Sequence, residues 1–146
     1  MSRFITSVAI IAALAVVFPA RTNAKVFGEC ELARLLRTKY GFDKAKVNNF
    51  VCLAKAESSL STTATNLNTN GSRDYGLFQI NNKYWCSTPG YKSASNDCGV
   101  ACSALMTDDI TAAVNCANKV FARHGYSAWY GWKAKCQSGV KDLWSC

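Results

Sequence analysis

The chain has 146 residues, 49% of them hydrophobic, and contains eight cysteines, one histidine and no repeat or low-complexity block, so a single domain with a real core is expected. Its formal charge of +8 favours anionic partners such as bacterial surfaces or acidic polymers. The basic residues are scattered rather than clustered, which argues for a generally cationic surface and against a specific nucleic-acid groove.

Residues 1–24 read as a secretory leader. Arg3 is the positive start, residues 8–18 the apolar middle, Pro19 the break, and Thr22 and Ala24 the small residues before a cut preceding Lys25. The run is too short for a membrane anchor and lacks a stop-transfer flank. A secreted, extracellular domain over residues 25–146 is therefore expected, and removing Arg3 and Arg21 lowers its charge to +6. No other stretch is apolar enough to span a membrane.

Secretion makes sense of the cysteines. An even number in a small extracellular chain implies four disulfides, although eight cysteines allow about 105 pairings. Zinc is a poor competitor, because His124 is the only histidine and no paired C-x-x-C spacing occurs.

In chain order, residues 29–40 predict a short helix with Leu32, Leu35 and Leu36 on its apolar face and Gly41 as the stop. Residues 44–58 predict a second, with Val47, Phe50, Val51 and Ala54 facing inward. Phe50, Ala54 and Glu57 fall at i, i+4 and i+7, so Glu57 lies on the stripe that a helix usually buries. A β segment over 66–82 follows. Strands at 66–69 and 74–80 flank Asn70–Gly71, a strong hairpin signal. Residues 87–97 hold Pro89–Gly90 and no period, so they predict a loop pinned by Cys86, Cys98 and Cys102. Thr107 is the expected cap of a third helix, with Asp108 and Asp109 at its positive end and Gly125 after its C-terminus. Residues 128–136 predict a last short helix bearing Trp129 and Trp132. Helices first and last around one small sheet make an α+β domain, mainly helical, with a cleft where the sheet lobe meets the helices.

Few residues can do chemistry. Metal-dependent hydrolysis lacks ligands, and oxidised cysteines leave no thiolate nucleophile. His124 sits at a basic helix end with no motif around it and reads as a solvated helix-end cation. Glu57 and Asp74 remain. One is predicted on an apolar helix face, the other at the start of a strand among hydroxyls and amides. Contrasting environments push two carboxyl pKa values apart. Glycosidic bonds use such a pair: one group protonates the leaving oxygen, and the other meets the oxocarbenium-like charge as an ion pair or nucleophile. Aromatic rings and amides suited to sugars lie near both, at Tyr84, Trp85, Trp129 and Tyr130 and at Asn66, Asn68, Gln79 and Asn81. Those residue types equally fill cores and turns.

Particular motifs sharpen the reading. KVFGECELAR, AKAES, ATNLNTNGSRDYGLFQIN, CSAL, DITAAVNCA and AWYGW occur in order, interleaved with the eight cysteines. On these, residues 25–146 resemble the C-type lysozymes along essentially their whole length. The resemblance implies a lysozyme-like fold with a small antiparallel β-sheet lobe and a cleft between lobes. It implies disulfides Cys30–Cys146, Cys52–Cys136, Cys86–Cys102 and Cys98–Cys116. It implies retaining hydrolysis of the β-1,4 bond between N-acetylmuramic acid and N-acetylglucosamine in peptidoglycan, with chitin oligosaccharides as poorer substrates. Glu57 matches the general acid, Trp129 the apolar wall that keeps it protonated, and Asp74 the nucleophile or charge stabiliser. Asn68, Gln79, Asn81, Trp85 and Ala128 match positions lining the sugar cleft, and Tyr84 stands where the family often has a tryptophan platform. No cofactor or metal is implied. Calcium-binding relatives have aspartates where this chain has Thr107, Ala112 and Ala113.

One departure concerns the far end of the cleft. An acidic residue that touches the outermost sugars in some members has no counterpart, and Arg123–His124 lies there, one residue shorter. Asn70–Gly71–Ser72 also fits a glycosylation sequon, beside its plainer reading as a hairpin turn. A non-catalytic carbohydrate-binding protein and a cationic membrane-disrupting protein stand as alternatives to a monomeric secreted enzyme. The retained carboxylates argue against the first. The absence of a dedicated basic amphipathic segment argues against the second.

Overall fold

A computed structural model describes residues 8–17 and 24–146. The expected leader therefore lies in part outside the described residues, and its described stretch, 8–17, is exposed and forms neither helix nor strand. Among the described residues, no helix is long and apolar enough to cross a membrane.

Helix α2 (Lys44–Ser58) is the central element. The Asp43 carboxylate caps it by accepting from the Lys46 amide at 2.8 Å, and Ser59 ends it in the left-handed region at φ 52°. Val47, Phe50, Val51, Leu53 and Ala54 are all fully buried, so α2 is enclosed on more than one side. Helix α1 (Glu29–Thr38) places Leu32 and Leu36 against it, with Glu29 and Glu31 at its positive end. Phe50 is the hub of the core. Its ring meets Phe42, Phe78, Phe121, Tyr126 and Trp129 edge-on, at centroid distances of 5.2 to 6.0 Å.

The sheet has three short antiparallel strands in the order β1 (Thr65–Leu67), β2 (Arg73–Tyr75), β3 (Ile80–Asn81). Asn66 pairs with Asp74, and Asp74 with Asn81. The Asn70–Gly71 turn closes β1 onto β2: the Asn68 amide donates to the Ser72 carbonyl, and the Asn70 side chain accepts from the Ser72 amide at 3.0 Å. The expected second strand, 74–80, is broken by a turn at 76–79. Gly76 has φ +76° and Gln79 φ +48°, and the Gly76 Cα faces the Leu105 carbonyl so closely that a Cβ there would lie 2.1 Å from its oxygen. Hydrophobic alternation hid this close backbone approach.

Residues 87–97 form a loop without helix or regular strand. A 3-10 turn, Cys102–Met106, precedes helix α3 (Thr111–His124). Thr107 is not the α3 cap. It closes the 3-10 turn, and the cap position falls at Ile110, which makes no side-chain cap bond; just before it, Asp109 accepts from the Thr111 amide (2.9 Å) and hydroxyl (2.6 Å). A second 3-10 turn, Tyr126–Ala128, leads into α4 (Tyr130–Lys135), which packs on α2. The last helix is thus shorter than the 128–136 expected. Trp129 is extended and precedes it.

Four disulfides join Cys30–Cys146, Cys52–Cys136, Cys86–Cys102 and Cys98–Cys116. The first closes a separation of 116 residues, for which the loop-entropy picture gives about 5 kcal/mol. Gly76→Ala is expected to lower stability in denaturant melts by about 2–4 kcal/mol, through both the clash and the positive φ. Gly71→Ala, where φ is +86° but the space is open, should cost about 1 kcal/mol.

Candidate active site

A cleft of about 740 Å³ lies between the sheet and the helices. It is lined by Glu57 from α2, Asn68, Asp74, Gln79 and Asn81 from the sheet, and Tyr84, Trp85, Ala128 and Trp129 from the segments that follow. Tyr130 lines it too, so ten of the eleven positions singled out in the sequence meet in this one space. Asn66 is the exception: it is not among the lining residues, and its side-chain amide donates to Gln79 Oε1 at 2.7 Å.

Glu57 is half-buried. Seven residues after Phe50, it shares the face whose orientation the aromatic cluster fixes. One carboxyl oxygen, Oε1, accepts from the Gly131 amide at 2.8 Å, at the free N-terminal turn of α4. Burial is the main influence on its acidity and raises its pKa above the ordinary carboxyl range; the Gly131 bond opposes this, and the charge of Asp74 adds to it. Trp129, 4% exposed, lines the same cleft and is locked by its indole N–H donating to the Phe78 carbonyl at 2.8 Å.

Asp74 has the opposite setting. Its Oδ1 accepts from the Asn81 side-chain amide at 2.8 Å, across the β2–β3 pair. Asn81 also reaches the Ser72 hydroxyl, which bonds in turn to Asn68 and Asn70. The Asn70 oxygen is thus engaged inside the turn that the sequon reading would modify. Gln79 is buried, and its amide bonds to the Ala64 and Gly76 carbonyls, so it braces the cleft floor. Tyr84 is the most open ring of the platform at 46% exposure, against 8% for Trp85.

Two carboxyls thus face one groove, one drawn out of water and one held by amides, beside aromatic rings. The sequence of the C-type lysozyme/alpha-lactalbumin family matches residues 25–146. The chain belongs to that family. A lysozyme of Bombyx mori is 52% identical over 131 residues, covering 90% of this chain and 93% of its own. Lysozyme c-1 of Anopheles gambiae is 55% identical over 117 residues, covering 80% and 81%. A crystal structure of a lysozyme from Litopenaeus vannamei superposes with a TM-score of 0.72 at 46% identity, covering 82% of this chain and 92% of that one. At this similarity the chain is a glycoside hydrolase of the lysozyme type, with the α+β fold of that family. The division of roles between two carboxyls in unlike settings is the one for which lysozymes are the type case.

Sequence reasoning missed two features of this lysozyme cleft. Gly131 was passed over, yet a Cβ there would lie 2.8 Å from Glu57 Oε1 and 3.1 Å from the Ala56 Cβ. A glycine inside a predicted helix was the available signal. His124 was read as a solvated helix-end cation; it is exposed at the end of α3, but it lines the cleft and its ring stands edge-on to Trp85 at 5.9 Å. The reason is tertiary: α3 ends against the platform, which helix periodicity does not reveal.

Gly131→Ala should leave the helical circular-dichroism signal unchanged, since alanine favours helix, while cutting kcat roughly 10- to 100-fold by displacing Glu57. Glu57 also sets a stability signature. Its raised folded pKa stabilises the protein fully below the unfolded value and loses that contribution as pH rises through the folded value. Glu57→Gln, which never ionises, should therefore melt above the unsubstituted protein at neutral pH. The gap should close below about pH 4.

Proposed function

We propose that Glu57 is the general acid and Asp74 the nucleophile or charge stabiliser of a retaining muramidase. The reading rests above all on one observation: a half-buried carboxyl of raised pKa lies across a single cleft from a carboxylate held by amides, near enough for the second charge to act on the first. Glu57 in its neutral form donates its proton to the glycosidic oxygen. Burial keeps that proton in place at pH values where an ordinary carboxyl has lost it. Asp74, oriented by Asn81, meets the positive charge that develops on the sugar ring as the bond lengthens. It either pairs with that charge or attacks the anomeric carbon. Water then completes hydrolysis with Glu57 acting as base, and configuration is retained.

The substrate we propose is peptidoglycan, cut at the β-1,4 bond between N-acetylmuramic acid and N-acetylglucosamine, with chitin oligosaccharides cut more slowly. Tyr84 and Trp85 offer flat apolar surface to sugar rings. Asn68, Asn81 and the Ala128 backbone offer polar contacts, with Gln79 holding the floor beneath them. The net positive charge draws the protein to anionic cell walls. Residues 1–24 direct secretion and are cut before Lys25, and the mature chain acts outside the cell as a monomer in antibacterial defence or digestion. A protein that only bound carbohydrate would have no use for a carboxyl held protonated, so the site favours chemistry.

Glu57→Gln is expected to reduce clearing of a bacterial wall suspension at least about 1,000-fold, while chitotriose binds with unchanged affinity. Near-normal lysis by that variant would overturn the assignment of the acid. The rate should fall on the alkaline side as pH passes through the raised pKa of Glu57, because the ionised form has no proton to donate.

A further inference from the structure

Trp85 lines the cleft, but the ion pair stacked on it does not. The Arg123 guanidinium lies over its indole, with Cζ 5.0 Å from the ring centroid, and Arg123 Nη1 pairs with Asp97 Oδ2. Neither Arg123 nor Asp97 borders the cleft. Asp97 is itself tied to the platform segment: its amide donates to the Tyr84 carbonyl at 2.8 Å, and the next amide, Cys98, donates to the Trp85 carbonyl at 3.0 Å. Cys98 is bonded to Cys116 on α3, and Lys119, one turn further along α3, donates to the Asp97 carbonyl at 3.3 Å. The loop, the platform and the end of α3 thus meet at one ion pair stacked on one ring.

An exposed ion pair of this kind contributes little to stability by itself. Its geometry is informative. Guanidinium is planar and stacks on an aromatic face while its edge bonds a carboxylate, so the Arg123 side chain can grip Trp85 and Asp97 at once. His124 approaches the same indole edge-on, at an interplanar angle of 88°. Arg123 thus braces the ring from outside the cleft, while His124, which lines the cleft, meets it edge-on.

We propose that the Arg123–Asp97 pair is a positioning brace for the Trp85 sugar platform, so that saccharide affinity depends on two residues that do not touch the saccharide. This rests on the reading of the cleft as a sugar site. The brace acts on binding and leaves the two carboxyls untouched.

The test uses the secreted chain and three substitutions, Arg123→Ala, Arg123→Lys and Asp97→Asn. Chitotriose is titrated against tryptophan fluorescence, with steady-state kinetics on a longer chitin oligosaccharide and a thermal melt alongside. Arg123→Ala should weaken chitotriose binding about three- to tenfold and raise KM to match, with kcat within about twofold. Asp97→Asn should do the same, and combining the two should add little, because they act as one unit. Arg123→Lys keeps a charge for Asp97 but not the flat stack, and should fall between. If the unsubstituted protein binds chitotriose and all three variants bind it equally well, the brace is wrong. If the variants lose kcat and melting temperature together with no change in KM, the pair is merely structural and the proposal also fails. If the unsubstituted protein does not bind chitotriose, the sugar reading of the cleft falls, and the brace with it.

Discussion

Phe50 touches five other aromatic rings, and those rings come from four separate segments of the chain. Phe42 precedes α2, Phe78 lies in the sheet lobe, Phe121 is on α3, and Tyr126 and Trp129 lead into α4. Edge-to-face packing has an angular preference, so five such contacts on one ring restrict how α2 can rotate about its axis. Two helical turns later that rotation decides where Glu57 points. The acid is aimed by the core, and its half-burial follows from the same packing.

A carboxyl drawn from water needs a partner that does not strip its proton. A cationic partner would lower its pKa; the Gly131 amide satisfies one oxygen and lowers it less than burial raises it. Only a residue without a Cβ lets α4 approach closely enough to make that bond. On the other side, Asp74 is held by a chain of amides and a hydroxyl running through Asn81, Ser72, Asn68 and Asn70. The tight Asn–Gly hairpin delivers that chain to the cleft wall. The two halves of the site therefore arise from two kinds of local order, helix packing and turn chemistry.

That difference explains what could be read from sequence. The α2 boundaries, Lys44–Ser58, and the burial of Glu57's face follow from local periodicity, which is visible in a window of fifteen residues. The hairpin was legible from Asn70–Gly71. The split of the expected second strand at Gly76 was not, because its cause is the Leu105 carbonyl, far along the chain. Nor was the start of α3 after Ile110, since Thr107 is a good capping residue until the preceding 3-10 turn claims it. The disulfide pairing was beyond spacing and came only with the family motifs. Gly131, His124 and Arg123 act across the fold, and periodicity is blind to that.

The Cys30–Cys146 bridge joins the first helix to the final residue. Any single backbone cut between those two cysteines falls inside the ring they close, so both pieces stay covalently attached. The irregular stretch of residues 87–97 lies well within it, and Cys86–Cys102 closes a tighter ring around the same stretch. An enzyme built this way can be nicked once by a protease and remain in one piece. That tolerance to damage is a property of connectivity alone.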